Sequence, residues 1–131
     1  MKKPVKLSSK TSRYYVIAER WISDLDFFKV ESNFFHHLLD KYANSSSSTA
    51  HLEKLKKLGR ELKVLEEERQ KVEILVDEML SQIALVAEDK VPENLQKIET
   101  SHTTLDLLMV DIIKKYRELK RELFNTVENI K

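Results

Sequence analysis

Residues 55–86 read LKKLGRELKVLEEERQKVEILVDEMLSQIALV, and Leu55, Leu58, Leu62, Leu65, Val72, Val76, Met79, Ile83 and Val86 recur through them at alternating steps of three and four. Only Arg69 interrupts the line. A helical turn takes about 3.6 residues, so this period puts one side chain per step on a single stripe, whereas a strand would alternate at every second residue. The spacing predicts a helix over 49–89, with Ser48 or Thr49 as its N-cap. Gly59 falls inside it at a cost of about 1 kcal/mol against alanine, too little to end so periodic a helix, though enough to permit a bend.

Working toward the N-terminus, the serine run Ser45–Ser48 offers hydroxyls that compete for backbone hydrogen bonds and marks a loop over 44–49. Before it, Tyr14, Ala18, Trp21, Leu25, Phe28, Ser32, Phe35, Leu39 and Tyr42 repeat the same spacing and predict a helix over 12–43. Residues 1–11 hold Lys2, Lys3, Lys6 and Lys10 with only two aliphatic side chains, the composition of a basic, disordered tail. Toward the C-terminus, Pro92 suits a first helical position and Glu93 supplies first-turn negative charge. Leu95, Ile98, His102, Leu105, Met109, Ile112, Tyr116, Leu119, Leu123 and Ile130 then predict a helix over 92–131. Within it, Thr100, Ser101, Thr103 and Thr104 have poor helix propensity and mark a point of fraying or kinking.

Three rods of about 45 to 60 Å joined by short connections must run antiparallel to their neighbours. The expected fold is therefore all-α: an up-down-up antiparallel three-helix bundle with long, coiled-coil-like helices at about 12–43, 49–89 and 92–131, forming a single domain over 12–131. Composition agrees. The 131 residues include one glycine and two prolines, too few turn formers for a β or α/β fold. Twenty-three Lys and Arg against 22 Asp and Glu give a net charge of +1, so the chain as a whole has no bias toward nucleic acid or anionic membrane. The absence of cysteine removes thiol nucleophiles and thiolate zinc sites. With no signal-peptide core and no run of about 20 apolar residues, the reading is a cytoplasmic protein.

The stripe is interrupted at Ser32, Arg69 and His102. Folding the helices about the middles of their loops sets Arg69 opposite Asp24 on the first helix and Asp111 on the third, an internal ion-pair candidate; the alternative is an arginine that snorkels to solvent. Glu99, His102 and Asp106, at spacings of three and four, line one side of the third helix as a metal candidate, because Glu-x-x-His reaches one point from one helical face. Iron and manganese bundles of that kind use two such motifs, and this chain has one, so a packed histidine is the simpler reading. His36, His37 and Asp40, with His51 across the loop, form a second cluster; histidines in the last turns of a helix also suit its dipole. One glycine cannot frame a nucleophilic serine or a phosphate loop, and no catalytic residue or cofactor is assigned.

Lys114, Lys115, Arg117, Lys120 and Arg121 could meet phosphates, but Glu118 and Glu122 interleave them, which reads as a self-paired helix surface. More informative are apolar residues that one seam cannot cover: Phe27 and Phe34, one heptad apart, and Leu107, Leu108, Val110 and Ile113. Phe27, Phe34, Leu108 and Ile113 are the interface candidates. The function that follows is a non-enzymatic interaction or structural module that buries helix faces against a second copy, as a homodimer, or against a partner protein. The alternatives are a metal-binding bundle with iron or manganese oxidoreductase chemistry at Glu99, His102 and Asp106, and a weak binder of nucleic acid or anionic surfaces through the basic N-terminal tail.

Overall fold

A computed structural model describes residues 7–45 and 48–130. They form three helices, α1 (Ser9–Ser45), α2 (Thr49–Ala87) and α3 (Leu95–Ile130), with no strand among the described residues. The fold is an all-α three-helix bundle. Of the tail, Lys2, Lys3 and Lys6 lie outside the described residues.

The described residues fall into two compact units, each built from parts of all three helices. The first takes the chain up to Leu25 together with Lys71–Val110. Its core holds Ala18, Trp21 and Leu25 from α1, Val72, Val76, Met79, Ile83 and Val86 from α2, and Ile98, Leu105 and Met109 from α3. The second takes Asp26–Gln70 and the chain from Asp111 onward. It buries Phe28, Phe35 and Leu39 against Leu55, Leu58, Leu62 and Leu65 and against Ile112, Tyr116, Leu119, Leu123 and Val127. In this second unit His36 meets Glu66 and Ser32 meets Arg69, so α2 descends as α1 ascends. Lys115 meets Glu68 and Lys54 meets Glu122, so α3 rises again.

The helix ends differ from the periodicity in ways that local hydrogen bonds explain. Helix α1 starts at Ser9 rather than residue 12 because Ser8 is its N-cap: Ser8 Oγ accepts the Thr11 amide at 3.2 Å, and Ser8 O accepts that of Ser12 at 2.9 Å. Thr11, expected in the tail, is fully buried. At the start of α2, Ser48 is the cap, its Oγ accepting the His51 amide at 3.4 Å. The helix closes at Ala87 with Asp89 at φ 58°, the Asp89 amide on Val86 O at 3.0 Å and the Lys90 amide on Leu85 O at 2.9 Å. This paired closure satisfies the last carbonyls and requires the left-handed backbone that Asp89 supplies.

Pro92 is not the first residue of α3, and Glu93 is not in its first turn. The Ser8 and Thr11 hydroxyls both donate to Glu93 Oε1, which holds Glu93 in the connection and lowers its carboxyl pKa below the usual range. Asn94 instead caps the helix, its Oδ1 accepting the Lys97 amide at 3.2 Å. The polar stretch at 100–104 does not break α3: Thr100 and Thr103 turn their hydroxyls back onto the carbonyls of Gln96 and Glu99 at 2.9 and 3.0 Å.

Helix α2 also runs through Gly59. A Cβ there would meet nothing nearer than Leu39 Cδ1 at 4.0 Å, an ordinary contact. Gly59→Ala is therefore expected to stabilise the protein by about 1 kcal/mol through helix propensity alone. Urea denaturation checks this: an unchanged or lower midpoint would mean that the glycine serves a bend.

Candidate functional site

The second unit carries a buried polar node at two of the three interruptions of the stripe. Arg69 is only 3% exposed and does not snorkel. Its Nη1 donates to Ser32 Oγ and to the Tyr116 hydroxyl, each at 3.2 Å, and those two oxygens lie 2.9 Å apart. Tyr116 in turn stacks on Phe28, with ring centroids 4.5 Å apart and planes 7° from parallel. Burial raises the Tyr116 pKa against the opposing pull of Ser32 and Arg69, so the phenol keeps its proton and has one to donate. Three helices thus converge on one guanidinium. Of the expected aspartates, Asp111 is exposed and pairs with Lys115 at 3.0 Å on its own helix, and Asp24 is a half-buried residue of the first unit.

In the first unit, His102 lies against two aromatic rings of α1. Its ring centroid is 4.3 Å from that of Tyr14 and 5.0 Å from that of Trp21, both stacked. Its Nδ1 is buried with no hydrogen-bond partner among the described residues. Burial lowers its pKa, and the charge of Asp106 opposes that shift. Glu99 is turned to Lys10 at 3.1 Å. No group of three or more His, Cys, Asp or Glu side chains able to hold a metal ion is assembled among the described residues, so Glu99, His102 and Asp106 do not come together as a ligand set. The histidines near the loop do not either: His36 binds Glu66, while His37 and Asp40 are exposed.

A histidine held neutral by burial makes stability depend on pH with a definite sign. Because the folded pKa is below the unfolded value of about 6.5, the unfolded chain binds the proton more readily, and stability must fall as pH drops through 6.5 toward the folded pKa. Thermal unfolding at pH 7.5 and pH 5.5 is expected to show a larger loss in the wild type than in His102→Gln. Equal losses would place the titration elsewhere.

The basic cluster of α3 is only partly self-paired. Lys115 bridges Glu68 and Asp111 at 2.9 and 3.0 Å, which raises its pKa, and Lys120 reaches Glu31 on α1 at 3.1 Å. Lys114, Arg117 and Arg121 are exposed and have no ion-pair partner among the described residues. Glu118 and Glu122 fall on the other edge of the helix, along an open groove of about 470 Å³ between α2 and α3 that Leu65 and Leu119 also line. The sequence interleaves these charges; the helix separates them, since steps of three and four stay on one edge and a step of one crosses over.

The interface candidates divide. Phe27 and Phe34 are 57% and 50% exposed, and Val30 between them is exposed too. Leu108 and Ile113 are half-buried. Further exposed apolar residues are Val64 and Phe124 in the second unit and Val16, Ile74, Leu75, Val91, Leu107 and Val110 in the first. Sequence reasoning missed Tyr116 and Trp21 as partners of the polar positions, because both sit on the apolar stripe and carry their polar or stacking function at the ring. It also missed Phe124, which shows only once the edge it occupies is placed.

No protein-family model, curated protein or solved structure matches this chain. Among the described residues, no helix is long and apolar enough to cross a membrane.

Proposed function

We infer that the chain works by association, as a helical module that presents an apolar helix face for contact rather than a catalytic centre. The observation that supports this reading is the exposure of Phe27, Val30 and Phe34 along one line of α1, at steps of three and four, while Phe28 and Phe35 one position later fill the core. Two exposed phenylalanines a heptad apart are a costly feature on a surface that meets only water, and contiguous apolar patches of this kind mark contact sites. The polar node of Arg69, Ser32 and Tyr116 serves this function indirectly, by fixing the axial register that sets which side chains form the face.

The experiment is comparative co-purification from the source organism, with the wild type and with Phe27→Gln/Phe34→Gln, each carrying one tag beside an untagged or differently tagged copy. The reading expects the double variant to keep its helicity and to lose specific proteins, the second copy of the chain included among the possible losses. Identical sets from both would overturn it.

A further inference from the structure

We propose that the face formed by α1 and α3 in the second unit is a homodimer surface, on which α1 of one copy lies along α3 of the other. This rests on the association reading above and adds its occupant. On α1, the residues that point away from α2 and toward the open side are Phe27 and Phe34, with Val30 beside them; at about 100° per residue these span a narrow arc. On α3, the open side between Lys120 and the far edge carries Phe124 and the cations Lys114, Arg117 and Arg121. The face is therefore an apolar ridge on one helix beside a row of unpaired cations on the other.

The two helices run parallel in this unit, and their levels are known. Phe28 stacks on Tyr116 and Glu31 bonds Lys120, so a residue of α1 stands level with the residue of α3 about 88 positions later. A twofold axis parallel to the helices preserves level and lays each α1 on the partner's α3. Asp26, exposed and without an ion pair among the described residues, then stands level with the partner's Lys114 at the outer edge. Phe34 comes beside the partner's Phe124, and Phe27 beside the partner's Arg117, where a guanidinium over a ring is favourable. An axis perpendicular to the helices would instead set the three cations of α3 against the same three of the copy. A uniformly anionic surface would suit the cation row but would meet Asp26 and leave the ridge of α1 without a matching groove. The self-complementary arrangement answers all three features.

Residues 26–40 rise about 21 Å and two helices are about 20 Å wide, so the face covers on the order of 400 Å² in projection on each copy. That is small against the roughly 1,200 Å² or more of total accessible surface in specific stable interfaces, and it makes the dimer a weak one.

Light scattering coupled to size exclusion on the full chain, from about 5 µM to about 500 µM, spans the affinities of such an interface. The expected mass rises toward twice 15.5 kDa as concentration increases. Asp26→Lys and Lys114→Asp should each weaken the dimer about tenfold, and the double variant, which restores the pair with its signs exchanged, should recover most of the loss. Both residues are exposed, and circular dichroism confirms that the variants fold. A mass that stays at 15.5 kDa throughout overturns the proposal, as does a dimer indifferent to the exchange. Binding of the monomer to anionic vesicles or to RNA, lost with Lys114→Asp, would overturn it in favour of those partners. If co-purification depends on Phe27 and Phe34 while the mass remains monomeric, the association reading stands and the homodimer falls.

Discussion

Arg69→Ala should lower the free energy of unfolding by about 3 kcal/mol or more, from loss of the packed stem and of two hydrogen bonds made by a charged donor. The residue is 3% exposed, and its Nη1 holds Ser32 and Tyr116 at 3.2 Å each. A surface arginine would cost no more than about 0.5 kcal/mol, so the size of the effect separates the node from a snorkelling side chain. Tyr116→Phe keeps the ring stacked on Phe28 and removes only the hydroxyl, leaving Ser32 as the one hydroxyl of the pair beside the guanidinium. Its expected cost is about 1–3 kcal/mol. Urea unfolding followed by far-UV circular dichroism measures both. A loss below 1 kcal/mol for Arg69→Ala would mean that the guanidinium is solvated in solution.

Phe35→Ala should cost about 3–5 kcal/mol, while Phe34→Ala should change stability by no more than about 0.5 kcal/mol. The two are neighbours in sequence and identical in chemistry, so composition and helix propensity cancel in the comparison. Phe35 is 1% exposed in the core of the second unit, and Phe34 is 50% exposed. Removing Phe35 takes buried carbons from a site that α2 and α3 close over, and the surrounding helices can relax only partly into the space. Removing Phe34 takes away a side chain half of which water already wets. Similar costs for the two would show that the face of α1 is rotated or already covered.

The stripe was legible from residue types alone: from Leu55 to Val86 every seam position of α2 is buried, Arg69 included. Axial register was not. Folding the chain about the middles of its loops puts Arg69 opposite Asp24, whereas the structure sets it beside Ser32, about one heptad on. A slip of seven residues moves each rod by about 10 Å and leaves every apolar residue on the seam, so a heptad pattern is nearly blind to it. The polar interruptions contain the missing information, because only one register brings Ser32, Arg69 and the Tyr116 hydroxyl together. Helix ends failed for a related reason. The N-cap at Ser8 and the restraint on Glu93 depend on each other across 85 positions, and no local window contains both. For the candidate site, Phe27 and Phe34 were readable because they repeat at the heptad period one position off the seam. The separation of Lys114, Arg117 and Arg121 from Glu118 and Glu122 was hidden by their adjacency in sequence.

The five phenylalanines provide the most direct test, since all have the same intrinsic reactivity toward hydroxyl radical. Footprinting by mass spectrometry on dilute protein should oxidise Phe27, Phe34 and Phe124 readily and leave Phe28 and Phe35 protected, in line with their burial. Protection of Phe27 and Phe34 in dilute solution, or oxidation of Phe28 and Phe35 at comparable rates, would contradict the face of α1 on which the association reading stands.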